Sequence, residues 1–331
     1  MDKKREKRFL GISPYPMLDT FRVLWHNLVI KRRKRKQINF IPKKYRFNDL
    51  KPQYTIGIIG DIMGTGLKEV NFSQHLQTFY SDCDYLLGNF EGTFYDGDKK
   101  ILLEKVITEE TTHALSQLGD KGHWYLSIAN NHSGDFSLRD FEGSVEYLEA
   151  LGFNIFGFDY KPMIDMNEDI RIHTYSQWSN KVRGWDTIAS LRELETYLPE
   201  IIKKNAFNLF FPHWGYEYEL YPRKNIMRKA KELLKDFDAI IGHHTHVPQP
   251  VTVHKNQLLA YSLGDMCFKT DRFPYNKECY GIIMKISIAK DIDDPINENR
   301  WEVQNVEWEY TKCNFIKENE IFIDTILELP W

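Results

Sequence analysis

The sequence predicts a layered α/β fold, and three observations support this prediction. Short apolar segments recur along the body of the chain, and each ends in a polar motif. Amphipathic stretches at about 137–151, 187–204 and 224–236 separate several of these segments. The 331 residues are 42% apolar and 27% charged, the composition of a soluble globular domain with its own core. An alternation of strands and helices predicts sheets covered by helices.

The first predicted element is a basic N-terminal arm, residues 1–50. Residues 1–46 hold fifteen Lys or Arg and three Asp or Glu, so they carry +12 while the remainder carries −15. An apolar stripe at helical spacing predicts a helix from about Met17 to Ile30. Six consecutive cations, residues 31–36, follow this helix. The stripe consists of Met17, Leu18, Phe21, Leu24, Trp25 and Leu28.

Two interpretations of this arm remain open. An apolar helical face next to six cations suits an anionic membrane surface, which residues 17–36 would bind. The helix could instead pack on the body of the protein or on a second copy. We expect no nucleic-acid partner, because no recognised module accompanies the charge.

The length of the apolar runs and the spacing of the cysteines indicate where in the cell the protein is located. No run approaches the roughly 18 apolar residues of a spanning helix. The four cysteines lie far apart and form no Cys-x-x-Cys pair. We therefore expect a cytoplasmic protein that binds peripherally to the inner face of the membrane.

The body, residues 51–290, contains six apolar segments that we predict as strands. We predict that residues 291–331 form accessory strands of the same domain. A metal-ligand type of side chain follows most of these segments. Because ligands bind outside the carboxyl ends of strands in open α/β sheets, we expect these side chains to converge. Carboxylate, amide and imidazole groups suit Mn, Fe or Zn. The side chains are Asp61, Glu91, Asn131, His213, His244 and His246.

Each of these residues also has an ordinary structural interpretation. A single Asp after a strand, such as Asp61, is more often a turn or helix cap than a ligand. Asn131 could begin a helix, and His213 could be a hydrogen-bonded core imidazole. The segment His243–His246 is different, because three of the eleven histidines lie within four residues directly after a strand. This cluster favours a metal site.

Six motifs in a fixed order carry a resemblance to a known family. They are Gly60-Asp61-Ile62-Met63, Asn89-Phe90-Glu91-Gly92, Ala129-Asn130-Asn131-His132-Ser133-Gly134-Asp135, His213-Trp214-Gly215-Tyr216-Glu217-Tyr218, Gly242-His243-His244-Thr245-His246-Val247 and Tyr261-Ser262-Leu263-Gly264-Asp265. Over about 56–268 the chain resembles the CapA family of bacterial capsule and poly-gamma-glutamate synthesis proteins, within the calcineurin-like metallophosphoesterase superfamily.

The resemblance implies a four-layer αββα sandwich with one or two divalent ions. By resemblance, Asp61 is the first metal ligand and Glu91 a bridging carboxylate. His132 is the implied catalytic general acid. The remaining implied metal ligands are Asn131, His213, His244 and His246. Residues expected to contact substrate or support the ligands are Asn89, His243, Glu217 and Asp265.

Four features depart from the family pattern. The wider superfamily has Asp-x-His in the first motif, whereas this chain has Met63, which is a poor substitute for an imidazole ligand. Family members usually have Leu-Gly-Asn where this chain has Asp265, and Asn-Leu-Glu where it has Phe90. Many members carry an N-terminal membrane anchor, and this chain has the basic arm in its place.

These observations give three functional hypotheses. The first is a metal-dependent hydrolase, a phosphoesterase acting on an envelope polymer or a lipid-linked precursor in capsule or other envelope synthesis. A related hypothesis is amide hydrolysis on a glutamyl polymer, since a polarised water can also attack a carbonyl. The third is an assembly subunit of a polymer-synthesis complex that binds metal or polymer without turnover.

Overall fold

The computed structural model describes residues 14–28, 38–65, 68–94, 106–180, 187–267, 279–291, 300–317 and 320–331. The fold is mixed α/β, as the sequence predicts. The helices are α1 (Met17–Leu28), α2 (Gln74–Tyr80), α3 (Glu109–Leu115), α4 (Leu138–Ala150), α5 (Leu191–Ile201) and α6 (Lys224–Leu233), with a 3₁₀ turn at Lys121–His123.

The strands fall into two large sheets and one small pair. In chain order they are β1 (Lys44–Arg46), β2 (Tyr54–Ile62), β3 (Glu69–Phe72), β4 (Tyr85–Phe90), β5 (Thr93–Phe94), β6 (Val106–Ile107), β7 (Trp124–Ser127), β8 (Asn154–Phe156), β9 (Met163–Asn167), β10 (Ile170–His173), β11 (Phe207–Phe210), β12 (Ala239–Ile241), β13 (Val251–His254), β14 (Gln257–Ala260), β15 (Asp265–Cys267), β16 (Cys279–Asp291), β17 (Arg300–Lys317) and β18 (Glu320–Ile326).

The first sheet contains strands from the N-terminal, central and C-terminal parts of the chain. Its order is β3-β18-β17-β16-β2-β4-β7-β8, with β1 on β17 and β15 on β2. Strands β2, β4, β7 and β8 run parallel, so their carboxyl ends share one edge. The C-terminal residues form long strands of this same sheet. Strand β17 is continuous where the sequence suggested two short segments, because β16 pairs with it along almost its whole length.

The second sheet has the order β13-β14-β12-β11-β10-β9. Its central strands β10, β11, β12 and β14 are parallel, while β9 and β13 pair antiparallel at the two edges. The small pair consists of β5 and β6. The carboxyl ends of β11 and β12 therefore lie side by side.

Three apolar clusters fill the spaces between these layers. One packs the first sheet against α2, α3 and α4. A second joins the inner faces of the two sheets, for example Ile58 of β2 and Leu209 of β11. A third packs the second sheet against α5, α6 and the arm. The continuous apolar strands of the sequence are thus covered on both faces, in agreement with the predicted sandwich.

Helix α1 packs on the body, but the face that makes this contact is not the apolar stripe predicted from the sequence. Among the described side chains of the helix, Thr20 and Val23 are buried, at 8% and 7% exposure. The stripe residues lie between 47% and 62% exposed: Met17, Leu18, Phe21, Leu24 and Trp25. The side chain of Leu28 and the cations at 31–36 lie outside the described residues. In the described part of the chain, no helix has the length and apolar content needed to cross a bilayer.

Candidate metal centre

The candidate metal centre forms where the parallel strands of both sheets end. Asp61 lies near the end of β2, and Glu91 directly follows β4. His213 follows β11, and residues 243–246 follow β12. The backbones at His213 and His243 form a parallel bridge, which joins these two strand ends. Convergence of the strand-end residues, expected from the sequence, is what the structure shows.

A close backbone contact brings Asp265 beside Asp61. Strand β15 pairs parallel with β2, with these two residues in register. The backbone N–H of Asp61 donates to the carbonyl oxygen of Gly264 at 2.9 Å. A Cβ atom at Gly60 would lie 2.0 Å from that same oxygen, so only glycine permits the approach.

Asp61 contacts its neighbours in the centre through both carboxylate oxygens. Its Oδ1 accepts a hydrogen bond from Asn89 Nδ2 at 2.8 Å and lies 3.1 Å from His243 Nδ1. Its Oδ2 accepts from the backbone N–H of His244 at 2.8 Å. Burial alone would raise the pKa of Asp61. The hydrogen bond with His243, the nearby imidazoles and Asn89 outweigh burial and lower the pKa to about 2. This carboxylate is therefore ionised at neutral pH.

One group of metal-ligand types consists of Asp61, His213 and His243. His213 Nδ1 lies 2.9 Å from His243 Nδ1, and His213 Nε2 lies 2.7 Å from Asn131 Oδ1. Burial and the neighbouring imidazoles hold the pKa of His213 well below its usual range. A buried neutral imidazole is the form that binds a metal ion.

A second group consists of Asp61, His246 and Asp265. His246 Nδ1 lies 2.9 Å from Asp265 Oδ1 and 3.8 Å from Asp61 Oδ2, while its Nε2 lies 3.7 Å from Glu91 Oε1. Burial alone would lower the pKa of His246, but the carboxylates of Asp265, Glu91 and Asp61 raise it to about 10. The centre therefore contains an imidazole with a lowered pKa, that of His213, and an imidazole with a raised pKa, that of His246.

Two histidines of the cluster have an unusual backbone conformation. His244 has a φ of 95° and His246 a φ of 56°, both in the left-handed region that side chains other than glycine rarely adopt. Such conformations persist where surrounding contacts hold them, and they concentrate at functional sites. Here the hydrogen bond from the His244 N–H to Asp61 supplies one such contact.

His132 lies beside the two ligand groups and is held by polar neighbours. Its Nδ1 is 2.5 Å from Asp135 Oδ2, and its Nε2 is 3.7 Å from Glu91 Oε1. Asn180 Nδ2 donates to Asp135 Oδ1 at 3.0 Å and lies 3.1 Å from His132 Nδ1. The segment that follows Asn131 forms turns, and α4 begins only after Ser137, which makes a capping box with Asp140. His132 is therefore oriented by Asp135 and Asn180.

The structure brings together all the predicted metal-ligand residues and His132. Asn89, His243 and Asp265, expected to contact substrate or support the ligands, also lie inside the centre, and the last two belong to the ligand groups. Glu217 lies at the margin, half-buried.

Sequence reasoning assigned no role to three residues that contact the centre: Asp135, Asn180 and Tyr15. Asp135 stands three residues after His132, a spacing that could have identified it. Asn180 and Tyr15 are 48 and 229 residues away in sequence from the histidines they contact. No sequence pattern indicates contacts at such separations.

The donor set fits a divalent metal ion. Carboxylate and imidazole groups converge in a buried volume, and within each of the two groups the ligand atoms lie within 4.8 Å of one another. His243 Nε2 and His244 Nδ1 are buried and have no hydrogen-bond partner among the described residues. Buried polar atoms in native proteins are almost always paired, so an ion coordinated here would account for such nitrogens.

Comparison with known proteins gives matches along most of the body. A family model described as "Bacterial capsule synthesis protein PGA_cap" matches residues 55–167 and 165–270. A "Capsule biosynthesis protein CapA" from Bacillus anthracis is 26% identical over 69% of this chain. A "PGA biosynthesis protein CapA" from Bacillus subtilis (strain 168) is 24% identical over 63% of this chain. The matched regions span 62% of the length of each of these relatives.

Solved structures also match this chain. One of them is described as a hypothetical protein from Thermus thermophilus, with a TM-score of 0.44 and 16% identity. The match covers 76% of this chain and 98% of that protein.

Proposed function

The chain belongs to the PGA_cap family of bacterial capsule synthesis proteins, within the metallophosphoesterase superfamily, and on this basis we propose that it is a metal-dependent phosphoester hydrolase in capsule or other envelope polymer synthesis. One observation carries the proposal: two groups of buried metal-ligand side chains share Asp61 at the joined carboxyl ends of the two sheets. Hydrolytic metal sites are built from this combination of carboxylates and imidazoles.

The residues that would hold the metal are those with buried donor atoms in the centre. They are Asp61, Glu91, Asn131, His213, His243, His244, His246 and Asp265. Mn, Fe or Zn suits this set of oxygen and nitrogen donors, as one ion or two. When bound, the metal would supply Lewis acidity and a water of lowered pKa.

His132 supplies the proton in this proposal. Asp135 holds the ring through Nδ1, which leaves Nε2 as the atom that faces the centre on the side of Glu91. A proton on Nε2 could pass to the leaving oxygen as the phosphoester bond breaks. The orientation imposed by Asp135 and Asn180 would keep this proton in place for the transfer.

The substrate class comes from the names of the relatives. Both are named for biosynthesis of capsule or PGA, so we propose an envelope polymer or a lipid-linked precursor as the substrate. A glutamyl amide bond is a related candidate, because the same centre could direct water at a carbonyl.

A second candidate function is an assembly role without turnover. Met63 favours it, because this thioether stands where the wider superfamily has an imidazole, and it is fully buried. With one fewer nitrogen ligand, the centre would bind metal or polymer and perform no hydrolysis.

Metal analysis combined with turnover assays distinguishes these candidates. The full chain, purified without chelators, is analysed for bound metal and assayed with a phosphodiester, a phosphomonoester and a γ-glutamyl anilide. Stoichiometric metal with phosphoester turnover supports the hydrolase. Stoichiometric metal without turnover of any substrate supports the assembly role, and absence of metal contradicts the proposed metal site.

A further inference from the structure

We propose that Tyr15, a residue of the N-terminal arm, positions His244 for metal binding and so makes the arm part of the metal centre. This inference deepens the proposed function and rests on the metal site assigned there. The Tyr15 hydroxyl oxygen lies 3.0 Å from His244 Nε2. The two residues are 229 positions apart in sequence, and both are buried.

Metal binding at His244 Nδ1 requires the tautomer that is protonated at Nε2, and the hydrogen bonds around the Tyr15 hydroxyl allow this tautomer. The backbone N–H of Glu217 donates to this hydroxyl oxygen at 3.0 Å. A hydroxyl oxygen has two acceptor positions, and the second can accept the Nε2–H of His244. An imidazole protonated at Nε2 carries its free lone pair on Nδ1. His244 Nδ1 is the buried nitrogen that has no hydrogen-bond partner among the described residues.

This arrangement matches the way proteins hold metal-binding histidines. Such a histidine usually donates its second ring N–H to an oxygen of the protein, which fixes the ring orientation and the tautomer. Here Tyr15 holds the ring at Nε2, and Asp61 holds the backbone N–H of the same residue at 2.8 Å. Because His244 also has a left-handed φ of 95°, both contacts help to keep a strained residue in place.

The arm holds Tyr15 firmly enough for this role. The Tyr15 ring lies edge-on to Trp178 with centroids 4.8 Å apart and is 5.6 Å from Tyr216. Burial and the nearby carboxylate of Glu217 raise the pKa of Tyr15 well above its usual range, so the hydroxyl stays neutral.

Polar contacts of α1 fix the helix that follows Tyr15. Arg223 Nη1 lies 3.0 Å from Asp19 Oδ1, and His26 Nδ1 lies 3.1 Å from Glu219 Oε1. Asn27 Nδ2 donates to the carbonyl oxygen of Glu217 at 3.1 Å. These contacts anchor α1 to the segment that includes Glu217, the residue whose N–H also binds the Tyr15 hydroxyl.

The test replaces only the hydroxyl, with Tyr15→Phe in the full chain. Tyr216→Phe is the matched control, since Tyr216 packs against the same ring and its hydroxyl is 3.5 Å from Asn225 Nδ2. Affinity for Mn²⁺ is measured by chelator competition, and the visible spectrum is recorded after loading with Co²⁺. We expect Tyr15→Phe to weaken Mn²⁺ binding about 10- to 100-fold and to shift the Co²⁺ bands, while Tyr216→Phe changes neither.

Thermal melts with and without Mn²⁺ compare each variant with its own metal-free form, so a change in the stability of the metal-free protein is subtracted. We expect the Mn²⁺-induced rise in Tm to be smaller for Tyr15→Phe than for Tyr216→Phe. Equal Mn²⁺ affinity and equal Co²⁺ spectra in Tyr15→Phe and the unsubstituted protein would overturn the role of Tyr15 while the metal site stands. Failure of the unsubstituted protein to bind either ion would overturn the metal site itself.

Discussion

Buried histidines occur in two regions of this protein, and their surroundings differ. The histidines of the metal centre face carboxylates, amides and one another at the strand ends. His173 lies inside the second sheet, on β10, where its Nε2 is 3.0 Å from Asn208 Oδ1 and its ring is 5.1 Å from the ring of Phe237. Both regions exclude solvent almost completely. Burial alone therefore does not identify a functional histidine, whereas convergence of charged groups from several strands does.

The effect of these surroundings on the pKa of a buried histidine also differs between the two regions. Burial lowers the pKa of His173 to about 4, since the Asn208 amide oxygen compensates only in part. His246 is equally enclosed, yet three carboxylates raise its pKa to about 10. His173 therefore stays neutral as part of the core, while the centre has a negative field suited to a cation.

The largest difference that we expect between the two regions is in metal binding. Replacing both His244 and His246 with Ala should abolish stoichiometric Mn, Fe or Zn binding, because it removes imidazole donors from the centre. His173→Leu, the matched control from the other region, should keep its metal. Elemental analysis of both purified variants measures the effect, and unchanged metal in the double variant would show that the site is assigned to the wrong residues.

The next largest effect concerns His132. His132→Ala should retain metal and hydrolyse a phosphodiester with a poor leaving group more slowly, by roughly 10²–10⁴-fold, because the proton donor is lost. A leaving group of low pKa needs no proton, so its hydrolysis should slow much less. Steady-state rates across a series of aryl phosphodiesters measure the difference. An equal loss for every leaving group would contradict the general-acid role.

A smaller effect concerns the pH dependence of stability at His173. The folded state holds this imidazole at a pKa of about 4, below its unfolded value of 6.5. Its contribution is thus fully present above pH 6.5 and is lost as the pH falls from 6.5 to about 4, because only the unfolded chain binds the proton. The loss should be on the order of 3 kcal/mol.

Denaturant unfolding at pH 7 and pH 4 checks this value. His173→Leu should show a smaller loss of unfolding free energy between the two pH values than the unsubstituted protein, whatever its absolute stability. Asn208 Oδ1 also accepts the backbone N–H of Lys203 at 3.0 Å, so the substitution should not leave this oxygen without a hydrogen bond. An identical pH dependence would place the titration elsewhere in the chain.

The smallest expected effect on either region comes from the exposed face of α1. Replacing Leu24 and Trp25 with Gln should leave metal content and unfolding free energy unchanged, because both side chains point away from the body, at 47% and 59% exposure. Binding to anionic vesicles, predicted from residues 17–36, should decrease. Co-sedimentation at low and high salt measures it. Equal binding of the unsubstituted protein to neutral and anionic vesicles, or no binding at low salt, would contradict the membrane prediction.

Much of the fold and of the centre could be predicted from the sequence. Apolar runs that end in Asp61, Glu91 or His213 indicated parallel strands with a polar rim, because the carboxyl ends of such strands share an edge. The spacing within His243–His246 indicated ligands. The distances between these residues could not be predicted, because they depend on how the strand ends of the two sheets pack together.

The helix of the arm shows where sequence reasoning fell short. Its apolar stripe suggested either a membrane face or a face packed on the body. The structure buries Thr20 and Val23 on the body and leaves Leu24 and Trp25 exposed. Polar contacts such as Asn27 to the Glu217 carbonyl help to set this orientation, and helical periodicity does not report contacts with distant residues.

Six strands of the body, the order of the motifs and the kinds of ligand available could be predicted from the sequence. These follow from local properties: apolar periodicity and donor atoms next to strand ends. The register of Asp265 with Asp61 and the contact of Tyr15 with His244 could not be predicted from the sequence. A hydrogen bond or a shared ligand group depends on distances of a few ångströms between residues up to 229 positions apart, and the packing of the two sheets and the arm sets such distances.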